Sequence, residues 1–406
     1  MTVGETAHRG AWTMEDRAEN VLRGLPVDVP PGTAALHVTL AYARGAGGVL
    51  DLGLLGPEGE FRGWSGGARD RFTVTEEWAT PGYLPGPLAP GTWQVLLRLH
   101  RVPPDGLGYE VRARTSGRTP PSPTPVLPDP LPRDGRRPRR DLPAADGMRW
   151  YAGDLHAHTE HSDGSLTLDA LARRAAGEGL DFLAVTDHNT VSHHPWLPAA
   201  GARQGITLLP GQEVTTDLGH ANVFGDTGWI DFRTGAGAWL SQAESAGGFL
   251  SVNHPLADDC AWELPFGDRR PRHAEIWHHT WTDRRHGAPL AWAGAWRPDV
   301  IPLGGSDFHT PEQGRPPGAP TTWVLAEEGA LLSGLRAGRT AISAGPDAPL
   351  LLRYADELLA LGAEGTVLVR PDGSRAVIRD PRTWLPGGEG LHRLETHTCE
   401  VIALCA

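Results

Sequence analysis

The segment Asp154-Leu-His156-Ala-His158-Thr-Glu-His161-Ser-Asp163-Gly164 places imidazoles and carboxylates close together, directly after an apolar run. Residues two apart on an extended strand point to the same side, so His156 and His158 present two imidazoles together, half of a metal site. An ordinary polar loop can also contain such a pair. The other candidates decide between these readings: His188 follows FLAVT-Asp187, Glu213 follows ITLLPGQ, His254 follows FLSV-Asn253, and Asp307 with His309 follows IPLGGS. Each stands at or just past the end of a short apolar run of strand type. Of the 18 histidines, 13 lie between positions 151 and 310, so the middle of the chain differs chemically from its ends.

Imidazoles and carboxylates without thiolates suit Zn, Mn or Fe(II). One ion is satisfied by roughly three or four protein ligands, so this larger set fits two to three divalent ions joined by a bridging carboxylate. Water bridging two such ions has its pKa lowered toward ~7 and can attack a phosphorus or carbonyl centre without a serine or cysteine nucleophile. Residues this far apart meet only if the strands before them end on one rim, as in parallel α/β architectures.

After Trp150 the sequence supplies such strands. Short apolar runs at 182–186, 206–209, 249–252, 274–277 and 300–303 alternate with helical stretches, one starting at the N-cap candidate Thr167 and ending at Gly177 or Gly179. Continuous apolar strands separated by helices imply a parallel sheet covered on both faces, a barrel or a doubly wound layer, over residues 148–340. Ahead of it, Leu36, Val38, Leu40 and Tyr42, and later Trp93, Val95, Leu97 and Leu99, alternate with period two. Residues 26–115 therefore read as a small antiparallel β-sandwich following an N-terminal extension, 1–25. Nine prolines between Thr119 and Pro143 make 116–147 an extended linker, whose Arg136, Arg137, Arg139 and Arg140 read as solvated charge. Residues 341–406 form a β-leaning segment without evident chemistry.

Composition excludes several classes. The chain has 406 residues and a net charge of −12, and all 37 basic residues are arginine. Without lysine there is no P-loop lysine, kinase strand lysine or Schiff-base chemistry. The acidic balance argues against a surface that coats nucleic acid. Three cysteines are too few for a disulfide scaffold. The start lacks a basic segment followed by an apolar one, and no run approaches ~18 apolar residues. A cytoplasmic protein acting on a small-molecule ester, with no membrane or nucleic-acid partner, is the expectation; the sequence leaves the oligomeric state open.

The ordered motifs DLHxHTxxSDG, TDHN, GQEVTT, GHANVFG, NHP and GSDFH, across about Trp150 to Pro320, resemble the PHP (polymerase and histidinol phosphatase) metal-dependent hydrolases. GDLHAHTEHSDGS with LPGQEVTTDLGHAN, the proline-rich linker and the preceding β-module look like the CehA/McbA branch, named for a carbaryl hydrolase. The resemblance implies a distorted (βα)7 TIM-like barrel. It also implies that His156, His158, Glu213 and Asp307 hold a first ion, that Glu213, His220 and His254 hold a second, and that Asp163, His188 and His309 hold a third.

Asp154 and Asp187, each beside ligands, are the candidates to orient metal-bound imidazoles. Asp187, His278 and Arg315 are the candidates for further roles in the chemistry: His278 and its neighbour His279 to meet substrate or protonate a leaving group, Arg315 to hold an anion. His161 reads as a solvated loop residue and His193 and His194 as loop residues. Trp277, Trp281, Trp292 and Trp296 are either core or the wall of an aromatic pocket. The leading function is a phosphoesterase acting on small phosphate esters or nucleotides through a metal-bridging hydroxide. An aryl carbamate or carboxylic ester hydrolase is the alternative, and a ligand- or glycan-binding protein with a vestigial metal site the reading from another class.

Overall fold

The computed structural model describes residues 2–124, 127–132, 140–258, 260–267 and 269–406. Two compact units emerge: Met1–Leu127 with Thr159–Gly164 and Asp187–Pro195, and Pro128–His158 with Ser165–Thr186 and Trp196–Ala406.

In the first unit, β1 (Thr2–Trp12), α1 (Met14–Glu19), β2 (Leu22–Val29), β3 (Ala35–Tyr42), β4 (Val49–Leu55), β5 (Phe61–Gly66), β6 (Arg71–Thr75), β7 (Gly91–Arg101) and β8 (Leu107–Ser116) follow one another. They form two four-stranded sheets, ordered β1-β8-β3-β6 and β2-β7-β4-β5, with every pairing antiparallel. The period-two residues Leu36 and Val38 of one sheet and Leu52, Val95 and Leu97 of the other share a core, so each sheet buries one face. The first 25 residues, expected as an extension, supply β1, α1 and the start of β2. Thr13 and Asp16 cap α1 reciprocally.

The second unit begins with β9 (Met148–Asp154), α2 (Leu168–Gly177), β10 (Phe182–Val185), α3 (Leu197–Gln204), β11 (Thr207–Thr216) and β12 (Gly219–Phe224). It continues through α4 (Ala236–Ser245), β13 (Phe249–Val252), β14 (His273–Trp277), α5 (Ala288–Trp296), β15 (Ile301–Gly304), β16 (Thr321–Glu327), α6 (Leu331–Arg336) and β17 (Thr340–Ser343). The chain ends with β18 (Leu350–Tyr354), β19 (Glu357–Leu361), β20 (Val367–Val369), β21 (Arg375–Val377), β22 (Arg382–Pro386), β23 (His392–Glu395) and β24 (Val401–Cys405). Thr167 caps α2 through Ala170 N, and the helix buries Leu168, Leu171, Ala172 and Ala175, the stripe its sequence spacing sets out.

β9 to β15 lie side by side in sequence order within a 13-stranded sheet. β9, β10 and β11 are parallel, as are β13, β14 and β15. β12 runs antiparallel to both its neighbours. Only Asp217 and Leu218 separate it from β11, too little chain for the helical crossover a parallel strand requires. The layer is a mixed α/β sheet, and among the described residues an isolated parallel bridge, Ala157 to Phe308, joins the segments beyond β9 and β15. Beyond β9 the sheet continues through β16, β17, β24, β23, β20 and β21, so residues 341–406 extend the same layer, with β18-β19-β22 as a separate sheet.

The linker is less solvated than its composition implied. Leu131, Leu142 and Ala144 pack on the core of this unit, and Arg140 donates to the Ala348 carbonyl at 2.7 Å; Arg136, Arg137 and Arg139 lie outside the described residues. Among the described residues no helix is long and apolar enough to cross a membrane.

His273, at the start of β14, is buried, with Nε2 3.0 Å from the Leu335 carbonyl. Burial pushes its pKa down to about 4, the Leu335 contact opposing and Arg272 and Arg336 assisting. The folded state therefore keeps His273 neutral where an unfolded chain, with a pKa near ~6.5, binds a proton. Its stabilising share is complete above that value and is lost as pH falls toward 4. Replacement by Gln should make the slope of Tm against pH between ~4 and ~6.5 shallower, by up to about 3 kcal/mol across the window. An unchanged slope contradicts this assignment.

Candidate metal centre

The site assembles where strands of the second unit end. His156 and His158 follow β9, Glu213 lies in β11, His220 in β12, Glu275 in β14, and His254, His278 and Asp307 follow β13, β14 and β15. The short β11–β12 hairpin pairs Thr215 with His220 and Glu213 with Asn222, so Glu213 and His220 are diagonal cross-strand neighbours, close enough for their side chains to meet.

Glu213 is the hub. Its Oε1 stands 3.3 Å from His156 Nε2, 3.1 Å from His220 Nδ1 and 3.4 Å from His254 Nε2, and its Oε2 3.5 Å from His158 Nε2. Asp307 forms the second convergence, Oδ1 lying 3.2 Å from His156 Nε2 and 2.9 Å from His158 Nε2, and Oδ2 3.3 Å from His278 Nε2. Metal bonds of ~2.1 Å in a tetrahedral arrangement separate ligand atoms by about 3.4 Å, the spacing found here. His156 Nε2 is buried without a hydrogen-bond partner. A lone pair buried between two anionic oxygens is a cation's environment, so the donor set fits divalent ions.

The electrostatics follow from burial and pairing. Burial opposes protonation of His156, yet the carboxylates of Glu275, Asp307 and Glu213 outweigh it and hold its pKa well above the ordinary value. For His254, burial is likewise outweighed by the Cys260 thiol and by Glu213 and Glu275. Asp307 is held well below the usual carboxylate range: burial raises it, but the histidines, His156 foremost, prevail. His254 and Asp307 both adopt positive φ, 24° and 52°, a conformation costly for residues with a Cβ and common where a site dictates side-chain direction.

One functional residue escaped the sequence reading. Glu275 accepts from His156 Nδ1 at 3.0 Å and from the His254 backbone N–H at 3.1 Å, the orienting role expected of Asp154. Asp154 instead accepts the backbone N–H groups of His156, Ser306 and Gly318, so it fixes main chain. The signal was available: Glu275 is an acid inside the apolar strand HAEIW, fully buried. Asn253 joins it by donating to Glu213 Oε1 at 2.7 Å.

His278 is brought in, buried against His254 with ring centroids 4.7 Å apart, its Nδ1 2.9 Å from Thr280 Oγ1. Arg315 contributes charge nearby: with burial and His278 it helps hold His279 down at about 4. Among the tryptophans, Trp277 and Trp281 meet edge to face, while Trp292 and Trp296 stack on each other.

His309 stacks on His158 at 4.1 Å. The two residues assigned with it to a third ion belong to the first unit, where Asp163 Oδ1 and His188 Nε2 stand 3.7 Å apart. In that unit Asp187 is fully buried; it accepts from Thr159 N, Thr159 Oγ1 and Ser162 Oγ at 2.8, 2.7 and 2.6 Å, with His193 Nδ1 3.2 Å away. It thereby ties the 159–164 and 187–195 segments together. His161 is not solvated: it is buried, with Nδ1 2.7 Å from Ser192 Oγ.

Residues 154–254 match the PHP domain. The 3',5'-nucleoside bisphosphate phosphatase of Chromobacterium violaceum is 41% identical over 70 residues, 17% of this chain and 25% of that protein. The 5'-3' exoribonuclease Rnm of Salmonella typhimurium is 42% identical over 65 residues, 16% of this chain and 22% of that one. The chain thus spans about a quarter of the length of these curated relatives. Among solved structures, a two-domain protein from Bacteroides vulgatus containing a predicted PHP-like metal-dependent phosphoesterase aligns at 18% identity with a TM-score of 0.41, covering 66% of this chain and 90% of that one.

Removing the charge that orients His156, by Glu275→Gln, should weaken divalent-metal affinity roughly 10–100-fold, as loss of such supporting groups does elsewhere. Competition against a chelating dye measures it, and wild-type affinity contradicts the role. Gly305→Ala tests the same contact sterically, because the new Cβ would lie 2.3 Å from Glu275 Oε1 and 2.4 Å from His156 Cβ. It should also lose metal affinity.

Proposed function

We propose that this chain is a metal-dependent phosphoesterase of the PHP type, acting on small phosphate esters or nucleotides. The observation that carries this reading is the buried convergence of His156, His158, His220 and His254 on Glu213 and Asp307. His156, His158, Glu213 and Asp307 would hold one divalent ion and Glu213, His220 and His254 a second, with Zn, Mn or Fe all suited to the donors. Bound ions would activate water and offset charge developing on the ester oxygens.

The protein's own groups do the rest. Glu275 and Asn253 orient the ligands. A cavity of about 220 Å3 adjoins the cluster, lined by His254, Glu275, His278, Trp281, Leu256 and Pro289 among others. His278 lines it while standing beside Asp307, and it is the residue we assign to protonate a leaving oxygen. The described lining of this cavity contains no arginine, so the ions would carry the charge recognition.

The same lining favours a second reading, hydrolysis of an aryl carbamate or carboxylic ester, with Trp281 as the aromatic wall. Purified protein reconstituted with Mn or Zn and assayed on nitrophenyl phosphate, nucleoside monophosphates, nitrophenyl acetate and carbaryl separates the two. Phosphate esters should turn over fastest, and the His156→Ala, His158→Ala double variant should lose at least about a thousandfold in kcat/KM. Carbamate turnover exceeding phosphate turnover would shift the assignment to the second reading. Full activity of the double variant would remove both.

A further inference from the structure

At the opposite end of the strands, away from the metal-ligating cluster, the second unit has a cavity of about 420 Å3 lined by Arg269, Arg270, Arg272, Arg297 and Arg336 with His273. It forms where the N-terminal ends of β13 and β14 meet the C-terminal ends of α4, α5 and α6. In a chain of net charge −12, five guanidiniums and one carboxylate, Glu244, line this cavity.

The described ion partners are fewer. Glu244 pairs with Arg269, and Asp299 is shared by Arg272 and Arg297 at 3.0 and 2.8 Å. Arg270 donates to the Trp296 carbonyl at 3.0 Å and lies over the Trp296 ring. Arg336 donates to the Gly247 carbonyl at 3.1 Å, and Arg297 reaches the Arg270 carbonyl at 2.6 Å. These bonds fix the guanidiniums in place, yet each uses only part of a five-donor fork. The remaining donors and the excess of positive charge suit a ligand with many anionic oxygens, the geometry arginine recognises best.

The structure assigns this cavity as a binding site for an anion carrying more than one phosphate group, separate from the proposed hydrolytic centre. Free polyphosphate and a nucleoside triphosphate share that chemistry. Calorimetric titration of the full chain with tripolyphosphate and with ATP, at low salt where pairing is least screened, tests it. The titrations are repeated in the His156→Ala, His158→Ala variant, so that binding at the metal cluster drops out. Tripolyphosphate should bind both proteins alike, and adding Arg270→Gln with Arg336→Gln should weaken binding at least about tenfold. ATP binding as tightly as tripolyphosphate or tighter points to a nucleotide; weaker ATP binding points to free polyphosphate. If the double arginine variant melts early, Arg269→Gln, at the exposed edge, replaces it with the same expected direction. No heat in either protein, binding that disappears with His156 and His158, or full affinity in the arginine variants overturns the assignment.

Discussion

Everything in the candidate metal centre depends on burying carboxylates beside imidazoles. Glu213 and Glu275 are buried and Asp307 is largely withdrawn from water, at a cost that close positive partners offset. The partners are histidines, which can be protonated in an empty centre or serve as neutral ligands when cations take over the charge. Raised histidines and a depressed Asp307 are two expressions of that one constraint. Because metal binding requires those protons to leave, occupancy and pH are linked in this centre.

The scaffold meets the constraint through strand order. Four strand ends and one hairpin deliver residues spread from His156 to Asp307, and Asp154 braces the backbone by accepting three N–H groups. Positive φ at His254 and Asp307 shows where the chain departs from relaxed geometry to aim a ligand, and the surrounding sheet supplies the rigidity that sustains it. The arginine-lined cavity lies at the starts of β13 and β14, the ends opposite His254 and His278.

Much of this was legible in the sequence. Strand-end histidines and acids named the second-unit cluster because apolar runs mark strands, and a residue just past a run is on the rim. Period two revealed the sandwich, although its first strands were missed because Thr2–Trp12 carries few apolar residues to mark an alternation. The antiparallel β12 was hidden because the parallel expectation came from the neighbouring runs, whereas the two-residue turn at Asp217-Leu218 decides the pairing. Glu275 was passed over for a different reason: the sequence shows an acid in an apolar strand, but only packing shows that His156 lies against it. His161 failed likewise, since a polar loop sequence does not reveal what covers it.

The most direct measurement is anomalous diffraction from crystals grown with saturating Zn or Mn. The account predicts one peak within bonding distance of His156 Nε2 and Asp307 and a second within bonding distance of His220 and His254, with Glu213 contacting both. A site free of anomalous signal under those conditions, with His156 Nε2 hydrogen-bonded to an ordinary water, would contradict it.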